Sequence, residues 1–433
     1  MKKINSVATN RFFGRVLFAG GLLSLSVASS NVSAASFSLN GNYRFGTNML
    51  VNTDLSSGVR NGSSNSTTFM EHRFLLRPDV VIDERFSVKS ELSFAQLLSG
   101  SGNTVGSNFG SSLDSQLSQM GGGQQLQVNT VYLRWASDWG LFRFGRIPKS
   151  WGLGVLYDAG EDVLDDFQTI RDRADFQAML GSLGFRIAYE KGSEGVITND
   201  NDDIDTYELA LDYANAEGDS AVGILYSRNI RSLKTTAAGS SSHDLSIFAK
   251  KRWGSFQVGG EFVSIATQNA DTTSGFLIQA DYMPGPWRIA YDFAYASSSS
   301  SSKFSFNQNY KPFMFLFRHS LGTSVPSAEV RAGRGVGADV VGDGGGGALV
   351  NKGHVSYEFS DMTLGSDFGF ASLGRNGASG KSYLGLETDF FLTQQWYDNF
   401  KMTYAAGFLI PGEAFGASPK AAWGVEIKGV LEF

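Results

Sequence analysis

From Ser36 onward, apolar and polar residues alternate in segments of about 9 to 15 residues, the period expected of a strand with one face in oil and the other in water. Tyr207, Leu209, Leu211 and Tyr213 share one face against Glu208 and Asp212. Trp287, Ile289, Tyr291, Phe293 and Tyr295 likewise oppose Arg288 and Asp292. Helical periodicity is scarce, and tyrosine and tryptophan gather near segment ends, as interfacial girdles do. A soluble sandwich also alternates, but its outward face is polar and its strand ends are less consistently aromatic.

The pattern predicts strands at 36–50, 66–80, 84–98, 126–138, 140–148, 173–180, 184–192, 204–215 and 219–231. Further strands follow at 242–253, 255–267, 273–284, 286–298, 350–361, 363–374, 380–394, 398–409 and 420–433, eighteen in all. Their connections alternate between short turns, such as Val81–Asp83, Gly254 and Gly285, and long segments such as 99–125, 149–172 and 299–349. That is the rule for a single-chain antiparallel transmembrane β-barrel with short periplasmic turns and long outer loops. Sixteen strands result if 173–192 forms one strand, and twenty if 299–349 hides a pair. The segment 299–349 holds the apolar run Tyr310–Phe317 and a glycine tract, and is read as one outer loop folded partly inward.

Before the alternation begins, Lys2, Lys3, Arg11 and Arg15 precede an apolar run from Val16 to Val27 and the small residues up to Ala35. This is the form of a cleaved secretory signal, which sets the domains at 1–35 for the leader and 36–433 for the barrel. Removing it shifts the formal charge from −6 to about −10, which excludes nucleic acid as an expected partner. Cysteine is absent, so disulfides, thiolate metal sites and cysteine nucleophiles are excluded. The last segment aligns Trp423, Val425, Ile427, Gly429, Leu431 and Phe433 on one face. An alternating strand ending in an aromatic residue resembles the C-terminal signal read by the barrel-assembly machinery, with Leu431 and Phe433 as its expected core.

If the aromatic face meets lipid, the opposite parity names the lumen. Early strands then contribute a basic ladder of Arg44, Arg73, Arg77, Arg85, Lys89, Arg134 and Arg143, with Glu71 and Glu91 among them. Later strands contribute an acidic wall that includes Glu208, Asp212, Glu261, Asp281 and Asp292, and further on Glu358, Asp367, Glu387, Asp389 and Glu426. Cations on the same parity are Lys250, Arg288, Lys352, Lys381, Lys401 and Lys428. The connection after the fifth strand packs Asp158, Glu161, Asp162, Asp165 and Asp166 into a short interval. Folded inward, it would face the basic ladder across a constriction and create a transverse field with a mild cation preference. His72 and Arg146 break parity, which calls for a bulge near Gly145 or an interfacial position.

The run Phe144-Gly-Arg-Ile-Pro-Lys-Ser-Trp-Gly-Leu-Gly154, with Asp158-Ala-Gly160 and Ile170-Arg-Asp-Arg173 after it, resembles the porin-type outer-membrane barrels of myxobacteria and related predatory bacteria. The resemblance implies a pore, with Trp151–Arg173 in its constriction. The expected role is a passive outer-membrane diffusion channel of a Gram-negative cell for small hydrophilic solutes and ions. Its expected surroundings are outer-membrane lipid and lipopolysaccharide, and its apolar exterior would also suit a homotrimer. No cofactor or metal is expected. Asn199–Asp203 and Asp205 offer oxygen ligands but lack the spacing of a calcium loop.

Catalysis is not expected. His354 and Ser356 share a face two residues apart, but no orienting carboxylate or oxyanion motif is evident beside them. A plug-gated transporter is excluded by a first strand that begins at Phe37. A channel for hydrophobic or specific substrates, and a structural or adhesive barrel, are the alternative readings.

Overall fold

The computed structural model describes residues 35–53, 55, 66–99, 126–193, 204–231, 240–299, 302–318, 321, 346–376, 380–416 and 418–433. The expected leader, apart from Ala35, lies outside the described residues, as do Asn199–Asp203 and most of the glycine tract.

Eighteen strands form one sheet closed on itself. The first nine are β1 (Ser36–Val51), β2 (Ser66–Val81), β3 (Phe86–Ser99), β4 (Leu126–Ser137), β5 (Gly140–Pro148), β6 (Ile170–Leu180), β7 (Leu183–Ser193), β8 (Ile204–Ala214) and β9 (Ser220–Arg231). The rest are β10 (Ser240–Trp253), β11 (Phe256–Thr267), β12 (Thr273–Tyr282), β13 (Trp287–Ala296), β14 (Ala348–Phe359), β15 (Met362–Ser372), β16 (Tyr383–Tyr397), β17 (Phe400–Pro411) and β18 (Ala422–Glu432). Each strand pairs antiparallel with its neighbours in sequence, and β1 pairs with β18 from Asn42↔Glu432 to Val51↔Trp423. Closure leaves no unpaired edge, which is what hydrocarbon demands of a spanning sheet. The ring excludes sixteen or twenty strands. β6 begins at Ile170, three residues before the predicted start, and Lys381 lies ahead of β16, paired with Glu413 at 3.1 Å in an outer connection.

The alternation sorts as the pattern predicts on the outside. Tyr207, Leu209, Leu211 and Tyr213 are exposed to the bilayer face, while Thr206 and Glu208 are buried inward. At the seam, the backbone of Phe433 exchanges two hydrogen bonds with Gly41 (2.9 and 3.0 Å), and its ring stacks on Phe74. A Cβ at Gly429 would lie 2.3 Å from the ring of Phe45, so the neighbouring strand fills the gap this glycine leaves in the aromatic row.

Parity breaks at one place near Arg146. Between β3 and β4 the register shifts at Glu91/Leu92, so that Asn129 and Thr130 are both buried while Val128 and Val131 both face out. This bulge resides on β4 rather than at Gly145. Arg146 pairs with the outward Val131, donates to the carbonyl of Asn129 at 3.2 Å and lies 3.9 Å from the exposed Asp172, so it occupies an outward position near the outer rim.

The inside differs from a simple water-filled bore. The inward residues near the outer ends of β11 to β18 are apolar and mostly small, among them Val263, Leu277, Ala294, Ala348, Ala371 and Ala422. They pack against Phe304, Phe306 and Phe313–Phe317 of the connection between β13 and β14, forming a hydrophobic core inside the barrel. The expected inward fold of 299–349 therefore holds for residues 302–318. Oil-facing and water-facing positions do not exhaust the pattern, because a third set faces buried protein.

Candidate functional site: two loops across the lumen

The connection between β5 and β6, residues 149–169, is here the Trp151 loop. Lys149 opens it, buried among Glu190 at 3.0 Å and Glu208 at 2.5 Å, with its ammonium 3.7 Å above the ring of Tyr157. Arg173 joins the same carboxylates at 2.8 and 3.2 Å and Asp175 at 3.0 Å. Arg143 binds Asp175 through two donors, and Arg186 reaches Glu208 at 3.1 Å. Buried charges persist only when paired this completely. Sequence parity assigned Arg143 and Glu208 to the lumen but missed Lys149, Asp175, Arg186 and Glu190. Alternation of Arg173 with Asp175, and of Arg186 with Glu190 on the same face, is the signal that could have marked them.

Trp151 then turns the loop across the wall. Its indole N–H donates to the Ser246 hydroxyl at 3.0 Å, and Ser246 donates to Glu261 at 2.8 Å. The other oxygen of Glu261 accepts the backbone N–H groups of Leu153 at 2.6 Å and Val155 at 3.3 Å. Gly152, between Trp151 and Leu153, has φ +62°, and a Cβ there would sit 2.5 Å from that carboxylate, so glycine is required by both conformation and space. Trp151 also meets Phe248 edge-on at 5.1 Å.

At the far side the loop docks on β1 to β3. Arg44 pairs with Asp166 and donates to the carbonyls of Val163 and Asp165, both at 3.2 Å. Arg73 caps the Asp165 carbonyl at 2.7 Å, and Gln168 donates to Glu91 at 2.8 Å. The first two members of the basic ladder are thus buried beneath the loop, in contact with it rather than across an aqueous gap. Burial opposes ionisation of Asp166, but Lys311 and Arg44 more than offset it and hold the carboxyl well below the usual range. Asp165 is pushed up to about 6 by burial and then by the charge of Asp158. Glu161 and Asp162 are exposed and Asp158 is half-buried.

Residues 302–318, the Phe315 loop, span the opposite half. Glu387 accepts the N–H groups of Phe315 at 2.6 Å and Leu316 at 2.9 Å, and Asp389 that of Met314 at 2.9 Å. Arg318 forms a bidentate pair with Glu426 at 2.9 and 2.6 Å. Part of the acidic wall therefore ends on loop backbone and loop cations instead of facing water. The two loops also bind each other. Asn309 and Phe167 exchange bonds of 3.0 and 2.7 Å, Asn307 donates to Val155 at 2.8 Å, and Lys311 pairs with Asp166. Burial pulls the Lys311 ammonium down to about 8, with Asp166 opposing that shift. Neither Lys311 nor Arg318 was singled out from sequence, because their apolar surroundings hide them.

Two of the remaining ladder residues border an open crevice of about 340 Å³ between the Trp151 loop and β1–β5. Arg77 and Lys89 line it, paired to Glu91 at 2.7 Å and Asp79 at 2.5 Å, with Tyr132 and Glu161 beside them. Arg134 is half-buried on β4, its Cα partner being Arg143. Arg85 precedes β3 on a periplasmic turn, exposed and 3.4 Å from Asp138, so it is not a ladder member. Asp212 lies over Gly184 near the periplasmic end of β8, and Asp281 pairs with Arg288 at 2.7 Å on β12 and β13. Asp292 is half-buried and bonded by Gln279 at 3.3 Å.

The architecture is shared with known outer-membrane proteins. OccK9 (OpdG) of Pseudomonas aeruginosa superposes with a TM-score of 0.56 at 10% identity, covering 93% of this chain and 99% of that one. The outer membrane protein OpdK of the same organism gives 0.55 at 10% identity, covering 92% and 98%, and OccK8 (OprE) gives 0.53 at 10%, covering 91% and 98%. No curated protein sequence matches significantly. The family model described as Gram-negative porin matches residues 21–325. That match takes in well over half of the chain, the Trp151 loop included, and the protein belongs to the Gram-negative porin family.

Proposed function

We propose that this outer-membrane porin is a passive channel for small hydrophilic solutes and ions, with a mild preference for cations. The observation that carries the reading is the crevice of about 340 Å³ left open beside a loop that is otherwise anchored from wall to wall. Hydrophilic solutes would pass between the Trp151 loop and the wall bearing Arg77, Lys89 and Tyr132. The charges there are largely paired with their opposites, Arg77 with Glu91 and Lys89 with Asp79, while Glu161 of the loop leans the balance negative. A field of that kind selects weakly. Such transport is passive and non-enzymatic.

The hydrophobic-substrate alternative drew on Tyr310–Phe317, and the burial of Phe313–Phe317 in the internal core removes that motive. We further propose that residues 1–35 are a cleaved signal, that Leu431 and Phe433 engage the assembly machinery, and that lipopolysaccharide surrounds the outer rim, with a homotrimer as the assembled form. The likeness of Phe144–Gly154 to barrels of myxobacteria and predatory bacteria is a narrower kinship proposed within the family.

Reconstitution in planar bilayers tests the channel. Discrete ohmic steps and a reversal potential favouring potassium over chloride in a salt gradient are expected. A strong chloride preference would overturn the charge assignment, and the absence of steps would overturn the pore.

A further inference from the structure

Away from the crevice, on the opposite wall, a second cavity of about 220 Å³ is lined in part by Arg288, Asp292, Lys352, His354, Asp367 and Phe391. It lies toward the periplasmic ends of β13 to β16. Arg288 follows the first residue of β13 and its side chain is 54% exposed, so the cavity has a mouth on that side.

Within it stands a three-residue chain. His354 Nδ1 lies 2.7 Å from Asp367 Oδ1, and His354 Nε2 lies 3.0 Å from Ser356 Oγ. A carboxylate can only accept, so Nδ1 carries the proton and donates to Asp367. In the neutral ring Nε2 is then the lone-pair nitrogen and accepts from the Ser356 hydroxyl. Lys352 pairs with the other oxygen of Asp367 at 3.3 Å. The ring of Phe391 packs parallel to His354 at 5.7 Å and restrains its orientation. The strand geometry explains the assembly: His354 and Ser356 are two apart on β14, and Asp367 is the Cα partner of His354 on β15.

Nucleophile, base and orienting carboxylate at these distances are the arrangement that activates a serine hydroxyl. An orienting carboxylate, which the sequence does not show beside His354, is supplied across the β14–β15 pair, thirteen positions further along the chain.

We propose that Ser356, His354 and Asp367 form a hydrolytic site for short-chain carboxylic esters, reached from the periplasmic mouth and separate from the transport crevice. Ser356 Oγ bonds to the ester carbonyl carbon as its proton passes to His354 Nε2. The carbonyl oxygen takes the displaced electron pair and faces Arg288, the cross-strand partner of Ser356. The ladder already uses the backbone N–H groups here, so a guanidinium supplies the stabilisation that main-chain donors give elsewhere. Collapse breaks the bond to the alcohol, which leaves with the proton from His354. Water then attacks the acyl-serine, giving its proton to Nε2, and the carboxylic acid departs as Ser356 recovers its hydrogen. The sum is ester plus water giving acid plus alcohol. Phe391 overlies Gly365, the β15 partner of Ser356, and offers an apolar wall for the acyl group. The cavity's volume restricts that group to a few carbons.

The test is fluorophosphonate labelling of the purified, detergent-folded full chain, with the modified residue located by mass spectrometry and hydrolysis of p-nitrophenyl acetate followed in parallel. The expected result is labelling at Ser356 that disappears on unfolding and in S356A. In H354Q and D367N it should slow by at least about a hundredfold, the range of a lost general base. Bilayer conductance confirms that each variant is folded, and it is expected to be unchanged in S356A because the pore does not use that residue. Conducting wild-type barrels that leave Ser356 unmodified would overturn the proposal, as would equal labelling of wild type and H354Q. Loss of conductance in the wild type bears instead on the transport reading.

Discussion

Lys311 and Asp166 stand on different loops, and their ion pair joins the Phe315 loop to the Trp151 loop inside the barrel. Asp166 is also held by Arg44 of β1, so one carboxylate links wall, constriction loop and internal core. Removing Asp166 leaves the Lys311 ammonium buried without its partner, at a cost of about 3–5 kcal/mol, whereas removing Lys311 leaves Asp166 to Arg44 alone and costs less. Lys311→Met should therefore loosen the bar across the lumen and give larger, noisier single-channel currents, recorded in planar bilayers beside the wild type. The pH dependence has a definite sign. The folded ammonium has a depressed pKa of about 8, so the pair is present below that pH and lost above it, while the unfolded lysine stays charged to about 10.4. Current noise in the wild type should rise on passing from about pH 7 to about pH 9 and should be flat in Lys311→Met.

Asp165 gives a second titration at the acid end. Its pKa of about 6 is raised by burial and by Asp158, so its negative charge is present above pH 6 and lost as the pH falls through that value. Because the folded form holds its proton more tightly than the unfolded one, stability from this group is gained on acidification and lost as pH rises. Cation preference should decline between about pH 7.5 and about pH 5, read as a shift of the reversal potential. Asp165→Asn should show the low-pH value throughout, and an unshifted wild-type potential would remove Asp165 from the field of the pore.

The strands are legible in the sequence because lipid imposes a two-residue period on every one of them, and the short turns fix which ends are periplasmic. Tyr207–Tyr213 needs no further context to be read. The destination of inward charges is not legible in the same way. Arg44 and Arg77 share a parity on adjacent strands, but Arg44 is buried beneath a carboxylate 122 positions away while Arg77 borders open space. Nothing local distinguishes them. Glu387 is likewise a lumen carboxylate by parity, and only the incoming backbone of Phe315 and Leu316 makes it structural. The inward apolar residues, Val263 and Leu277 together with the small Ala294, Ala348 and Ala371, are the trace of the internal core in the strands themselves, since a water-filled lumen requires neither apolar nor small side chains and a packed loop does.

Glu387→Leu is expected to release the Phe315 loop from β16. Two buried N–H groups would lose their acceptor, at roughly 1–3 kcal/mol each. The loss is local to the loop because the ladder of β16 with its neighbours is untouched. Limited proteolysis of detergent-folded protein should cut within 302–318 in the variant and not in the wild type, while the barrel stays resistant. Glu387→Gln keeps one acceptor and should fall between the two.

Lys149 anchors the other loop, and its replacement separates packing from charge. The ammonium is almost fully buried against Glu190, Glu208 and the ring of Tyr157. Lys149→Met preserves the length of the stem but leaves two carboxylates to share Arg173 and Arg186. Desolvated like charges repel, so the network should weaken by about 3–5 kcal/mol even though an apolar side chain fills the space. If the role of Lys149 is electrostatic, Lys149→Arg should restore most of the loss despite its different shape, and the double variant Lys149→Met with Glu208→Gln should restore part of it by removing the uncompensated charge. Heat-dependent gel mobility of the folded barrel measures the change. Equal mobility transitions for wild type and Lys149→Met would mean that the pairs are energetically idle and that Trp151, through Ser246 and Glu261, positions the loop alone.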